Sequence, residues 1–240
     1  MLKKKWLLKP EPNPDLVCQL QQELCVHNSI CKLLIQRGVN SFKKAKRFFR
    51  PTTSLLHDPM LMKNMSEAVC RINEAIKKNE KILIYGDYDV DGTTSVAMVY
   101  SFFKESYENI SYYIPDRYTE GYGISIQSID YASENNVKLI VALDCGIKAI
   151  KEVNYAREKK IDYIICDHHL PGTTIPNSIV LNPKQKKCNY PFKELSGAGV
   201  GFKLLQAFCN QNEITIERAN KYIDLLAVSI GADMVPLVEE

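Results

Sequence analysis

A chain of 240 residues, 45% hydrophobic and 25% charged, can bury a sizeable core and has the composition of an ordinary globular protein. No apolar run approaches the roughly 20 residues of a membrane span, and the basic opening lacks the apolar stretch and cleavage site of a signal peptide. Eight scattered cysteines without a CxxC pair exclude a disulfide framework and a structural zinc site, so a cytoplasmic protein with free thiols is expected. The net charge of +3 hides an asymmetry. Residues 1–50 hold eleven Lys or Arg against three Asp or Glu, and the remaining 190 hold 20 against 25. A basic arm beside an acidic body suits a metal site flanked by a polyanion contact, although charge alone reads equally well as a solvated basic surface.

Residues 1–62 read as a small helical N-terminal region. Pro10, Pro12 and Pro14 keep its opening extended. Leu16, Leu20 and Leu24, then Ile30, Leu33 and Leu34, have helical spacing with a break near Asn28, and Gly38 reads as a C-cap. A short basic helix over 41–49 follows, stopped by Pro51. Its Lys and Arg could touch phosphates, and Phe42, Phe48 and Phe49 are expected to dock on the core. The main domain, 63–240, opens with a capping box, Asn64-x-x-Glu67, before a helix carrying Ala68, Val69, Ile72 and Ile76. Strands are predicted at 81–85, 110–114, 138–143, 162–166 and 178–181. Helices are predicted at 93–105, 125–135, 147–160, 199–211 and 217–230. This alternation predicts the α/β class: a parallel five-stranded sheet with helices on both faces.

Three of the strands end in groups that carry chemistry. Asp87, Asp89 and Asp91 follow the first strand at every second position, between Gly86 and Gly92. Asp144 follows the strand Leu139–Leu143, and Asp167-His168-His169 follows Tyr163–Cys166. Strand ends of a parallel sheet are where such folds bind ligands. Clustered carboxylates repel one another unless a cation intervenes. An EF-hand is excluded, because Met98 stands at the position of its twelfth-residue Glu and a strand precedes the loop. Asp233, beyond an apolar helix, is a fourth acidic point that opposes the helix dipole. Oxygen and imidazole ligands without thiolate favour Mn²⁺ or Mg²⁺. Four or more carboxylates suggest two ions about 3.5–4 Å apart, an arrangement suited to in-line displacement at phosphorus. Arg117, after the second strand, and the helix opening at Ser196 could each hold phosphate. Close packing explains the glycines after Ser196 equally well, and Lys203 is misplaced for a Walker A motif.

Asp87-x-Asp89-x-Asp91-Gly92, Leu143-Asp144-Cys145-Gly146, Asp167-His168-His169 and Asp233 resemble, in order, the four motifs of the DHH phosphoesterases. Arg37-Gly38-Val39, the run from Tyr113 to Arg117, the run from Glu120 to Gly123, the run from Leu195 to Gly199 and the run from Ala232 to Pro236 are similar to the branch of single-strand-specific 5′→3′ exonucleases. The resemblance implies two Mn²⁺ (or Mg²⁺) ions held by Asp89, Asp91, Asp144, His168 and Asp233, with Asp144 bridging. It implies catalytic roles for His169, at the scissile phosphate or leaving oxygen, and for Asp87 at the edge of the site. Arg117 and Ser196 would engage phosphates near the 5′ end. Tyr85 departs from the pattern, standing where many relatives carry a His ligand. The expected activity is phosphodiester hydrolysis on single-stranded DNA in repair and recombination, with a single-strand-binding protein and a helicase as partners. The chain would be the N-terminal part, followed in complete members by a DHH-associated domain and an OB-fold. Two alternatives are a hydrolase of short oligonucleotides or cyclic dinucleotides and a non-catalytic single-strand-binding module.

Overall fold

The computed structural model describes residues 5–238 and 240, so the first four residues of the basic opening and Glu239 lie outside the described residues. The chain divides into two compact units, Met1–Leu56 and His57–Glu240. The described residues of the first unit form three α-helices: α1 (Pro14–Leu24), α2 (Asn28–Ile35) and α3 (Phe42–Phe49). Side chains of Asn13, His27 and Ser41 cap their N-termini. Gly38 closes α2 at φ +81°, as expected of a C-cap glycine, and Val39 N donates to Leu34 O. Val17, Leu20, Cys31, Leu34, Val39 and Ala45 form the small core. The three phenylalanines of α3 do not dock there. Only Ala45 is buried on that helix, and Phe42, Phe48 and Phe49 are 51%, 54% and 58% exposed.

The second unit begins with α4 (Met65–Lys77), then alternates β1 (Lys81–Gly86), α5 (Val90–Lys104), β2 (Ile110–Tyr113), α6 (Ile126–Glu134), β3 (Val137–Leu143), α7 (Ile150–Glu158), β4 (Asp162–Cys166) and β5 (Ile179–Leu181). It ends with α8 (Gly197–Gln211), α9 (Glu217–Asn220) and α10 (Ile223–Asp233). The five strands pair in parallel in the order β2-β1-β3-β4-β5. One face of the sheet, with Leu83, Ile140 and Ile165, packs on Ile129 and Ala132 of α6 and Val153 and Ala156 of α7. The other face carries α5 and α8. Each fully buried Ile, Leu or Val of the central strand contributes about 1.5–3 kcal/mol. That burial on both sides is why β3 reads as a nearly unbroken apolar run.

Three local expectations are corrected. The capping box does not form: Asn64 adopts φ +66° and makes no side-chain cap, and its amide donates instead to Val180 O in β5. Helix α5 starts at Val90 rather than 93, because Asp89 caps it through Gly92 N at 2.8 Å. The apolar stretch 217–230 is two helices, broken at Lys221 and Tyr222. No helix among the described residues is long and apolar enough to cross a membrane. All eight cysteines are free thiols.

Candidate metal centre

This strand order reverses direction between β1 and β3, and their C-terminal ends flank the crevice where open α/β sheets bind ligands. Asp89 and Asp91 enter it from the first turn of α5 and Asp144 from the end of β3. The turn can be this tight because of glycine: a Cβ on Gly92 would lie 2.4 Å from Asp87 O. Asp91 is buried and heavily bonded. Its carboxylate accepts from Gly197 N at 2.7 Å, Ala198 N at 2.8 Å and the Ser229 hydroxyl at 2.7 Å. The N-terminus of α8 is thus an anion site, as the sequence suggested, but its anion is the protein's own Asp91. Ser196 is turned inward accordingly. It is 1% exposed, its Oγ accepts from Gly199 N at 3.1 Å, and it donates to Ser229 Oγ at 2.7 Å. Its hydroxyl is committed to this cap rather than open to a substrate phosphate.

His168 stands at the centre of the acidic groups. Its Nε2 lies 3.2 Å from Asp144 Oδ1, 3.7 Å from Asp91 Oδ2 and 3.8 Å from Asp233 Oδ2. Yet His168 Nε2 and Asp144 Oδ1, both buried, form no hydrogen bond within the protein. Asp144 adopts φ +60° and donates its own N–H to Cys166 O, which aims the side chain at the crevice. Burial, then the charges of Asp91 and Asp89, push its pKa up to about 10. Burial also raises Asp233, against the opposing pull of His168. Two sets of ligand atoms converge within 4.8 Å: Asp144, His168 and His169, and Asp91, His168 and Asp233. An orphaned buried carboxylate facing an orphaned imidazole, among further carboxylates, fits divalent cations of the Mn²⁺ or Mg²⁺ type. The neighbouring Cys145 and Cys166 are buried thiols whose pKa burial raises, so they act as packing residues. Asp89 is exposed and belongs to neither set.

A supporting shell holds these groups in place. Asp167, 1% exposed, accepts from His169 N at 3.0 Å and Ile147 N at 2.8 Å, and pairs with His169 Nδ1 at 2.8 Å. Burial opposes the charge of Asp167, but these bonds hold its pKa below the ordinary value. The same pairing raises the pKa of His169. Asp87 is fully buried and accepts from Tyr88 N at 2.7 Å and Gly123 N at 2.9 Å. Tyr85 OH donates to Gly123 O at 2.6 Å. Both residues therefore anchor the 121–123 loop, and neither joins the converging ligand sets. Arg117 is exposed, with its guanidinium carbon 5.2 Å from the Tyr88 ring centre. Tyr88 meets Tyr122 edge-on at 5.8 Å, and Tyr122 meets His169 at 6.5 Å. A continuous aromatic path thus joins Arg117 to the histidines, beside a cavity of about 400 Å³ lined by Tyr122, Ile147, Lys148 and His169. Sequence reasoning missed Ser229 and the packing roles of Tyr88 and Tyr122; it found the amides at the start of α8 but not Asp91 as their partner. Ser229 had a legible signal: it sits four residues before Asp233, on the same helix face.

A family model described as the DHH family, N-terminal domain, matches residues 81–230. The single-stranded-DNA-specific exonuclease RecJ of Bacillus subtilis (strain 168) is 39% identical over 239 residues, covering 99% of this chain and 30% of that protein. The protein of the same name from Escherichia coli (strain K12) is 35% identical, covering 86% of this chain and 37% of that one. This chain thus spans about a third of the length of these relatives. A crystal structure of exonuclease RecJ bound to manganese superposes with a TM-score of 0.68 at 33% identity, over 76% of this chain and 45% of that one. RecJ in complex with Mn²⁺ from Thermus thermophilus superposes at 0.78 with 27% identity, over 95% of this chain and 32% of that one.

Proposed function

Because the chain belongs to the DHH family, we propose that residues 81–233 carry a metal-dependent phosphodiesterase centre that removes nucleotides from a 5′ end of single-stranded DNA. The observation that carries this reading is the orphaned pair, Asp144 Oδ1 and His168 Nε2, enclosed by Asp91 and Asp233. Asp91, Asp144, His168 and Asp233 would hold the cations, with Asp89 at the margin. When bound, divalent cations would supply Lewis-acid charge for an attacking water and for the oxygens around phosphorus. The protein's own part is positioning and proton transfer. The amides of α8 fix Asp91, so its geometry is set before substrate arrives. Asp167 occupies His169 Nδ1 and keeps the ring oriented, leaving Nε2 to give a proton to the departing bridging oxygen. Arg117 would pair with a phosphate of the strand, and the exposed ring of Tyr122 offers a base a stacking surface. The names of the relatives, single-stranded-DNA-specific exonucleases, supply the substrate class. Roles in DNA repair and recombination in the cytoplasm, beside a single-strand-binding protein and a helicase, belong to the same proposal.

The test uses this chain with Mn²⁺ and 5′-phosphorylated, 3′-labelled single-stranded DNA, with a dinucleotide as second substrate. Stepwise shortening of the strand, lost in Asp144→Ala and Asp233→Ala, is expected. Turnover of the dinucleotide alone would place the centre here but the grip on a long strand elsewhere. Absence of Mn²⁺-dependent turnover of both substrates would overturn the proposal.

A further inference from the structure

Helix α3 presents a face that the catalytic reading does not use. Its 3.6-residue period gathers Phe42, Ala45, Phe48 and Phe49 on one side and Lys43 and Lys46 beyond that edge, with Arg50 at the C-cap. Ala45 is buried in the small core, but the three rings stay more than half exposed. Phe48 and Phe49 form an edge-to-face pair with centroids 5.1 Å apart. The surrounding charge is uniform. No Asp or Glu occurs between Glu23 and Asp58, a stretch that carries seven Lys or Arg. Lys32 is paired with Glu11, and Lys44 is turned back to Gly38 O. Lys43, Lys46 and Arg50 are exposed on the same short helix and its C-cap.

We propose that this face of α3 is a binding site for single-stranded nucleic acid, with bases stacked on Phe48 and Phe49 and phosphates met by Lys43, Lys46 and Arg50. Only a single strand offers unpaired π-faces and a regular line of negative charge together. A protein or lipid surface would match the apolar rings, but would need its own dense acidic border to match the cations. The charge distribution gives the site a purpose. Residues 51–240 carry 20 Lys or Arg against 25 Asp or Glu, and the metal-type carboxylates lie among them. Within this chain the net electrostatic attraction for a polyanion comes from residues 1–50, where the balance is +8. The choice of single-stranded DNA as the ligand rests on the proposed exonuclease reading; the location on α3 does not.

Fluorescence anisotropy of the full chain with labelled oligothymidine of about 20 nucleotides, in EDTA to stop cleavage, measures this directly. Phe48→Leu/Phe49→Leu keeps apolar bulk but removes the π-faces, and weakens binding about tenfold or more. Phe48→Tyr/Phe49→Tyr stays within about twofold of the parent, since stacking is retained. Lys43→Gln/Lys46→Gln lowers the slope of log affinity against log salt by about 1.4, at roughly 0.7 per phosphate contact on a single strand. Unchanged affinity in the Leu pair, or an unchanged salt slope in the Gln pair, overturns the inference. Both pairs lie on exposed positions, and thermal unfolding identifies a misfolded variant, in which case the other pair decides. Mn²⁺-dependent hydrolysis of a dinucleotide stays at the parental rate in every variant. Its absence from the parent too would sink the catalytic proposal while leaving the anisotropy result to decide this one.

Discussion

Replacing Asp144 by Asn should stabilise the fold in EDTA while abolishing metal-dependent turnover. Asp144 is 1% exposed, its Oδ1 has no hydrogen-bond donor, and its pKa stands at about 10. The unfolded chain holds the same group near the ordinary Asp value, about 3.9. Without metal, folding at pH 7 must therefore bind a proton, at a linkage cost of about 4 kcal/mol over the three pH units between. The sign follows from a raised pKa: this contribution to stability is complete below the unfolded value and is lost as pH rises towards about 10. Asn does not titrate and escapes that loss. The expected gain at pH 7 is about 2–4 kcal/mol, since the amide brings its own desolvation, or roughly 5–15 °C in Tm for a chain of this size. The assay is thermal unfolding of both proteins in EDTA from pH 5 to pH 9, repeated with Mn²⁺. The gain should shrink towards pH 5 and grow towards pH 9. Mn²⁺ should raise the Tm of the parent more than that of the variant. A variant less stable than the parent in EDTA, or a gain independent of pH, would refute the reasoning.

Two further substitutions probe the shell around that carboxylate. In Gly197→Ala the new Cβ would sit 2.5 Å from Asp144 Oδ1, displacing the amides that hold Asp91. A cost of about 1–3 kcal/mol in stability and a tenfold or greater loss of Mn²⁺ affinity are expected, read by denaturant melts and a Mn²⁺ titration; parental affinity would mean that α8 does not hold the site. Asp167→Asn removes the partner that raises the pKa of His169. If His169 acts as an acid, activity falls as pH rises through its pKa, so the alkaline limb of kcat/KM moves to lower pH and the rate drops roughly 10–100-fold. An unmoved limb would assign the proton to another group.

The sheet was legible because its strands are short apolar runs between amphipathic helices, and period and length together distinguish the two. The strand-end residues Asp91, Asp144 and His168 were legible for the same reason: once the strands are placed in parallel, their C-terminal ends must lie along one edge. What local pattern could not supply was the partner of each group. Ser196-Gly-Ala-Gly announces an anion-binding helix start, but whether a substrate phosphate or Asp91 fills it depends on how α5 and α8 cross, which no local spacing encodes. Asn64-x-x-Glu67 has the letters of a capping box, yet the αL backbone at Asn64 gives its amide to β5. Asp89 matches the motif as a ligand; its Oδ1 caps α5 through Gly92 N, a second task that the motif does not announce.

Asp91 and Asp144, both buried at the switch point, are treated in opposite ways, and the difference would favour a cation at the proposed site. Asp91 is held by three neutral protein donors before any ion arrives, so its position is fixed while its charge remains. Asp144 Oδ1 and His168 Nε2 have no such partner, although they lie 3.2 Å apart. A proton can bridge Asp144 Oδ1 and His168 Nε2, 3.2 Å apart, but it cannot also satisfy Asp233 and the far side of Asp91. A divalent cation can, because it brings charge and accepts several ligands at once. The fold therefore stays stable with Asp144 protonated, and an ion held by the proposed ligands Asp91, Asp144, His168 and Asp233 would have to displace that proton. On this reasoning metal uptake at neutral pH releases about one proton per chain from Asp144, a stoichiometry that calorimetry in buffers of different ionisation enthalpy would read directly.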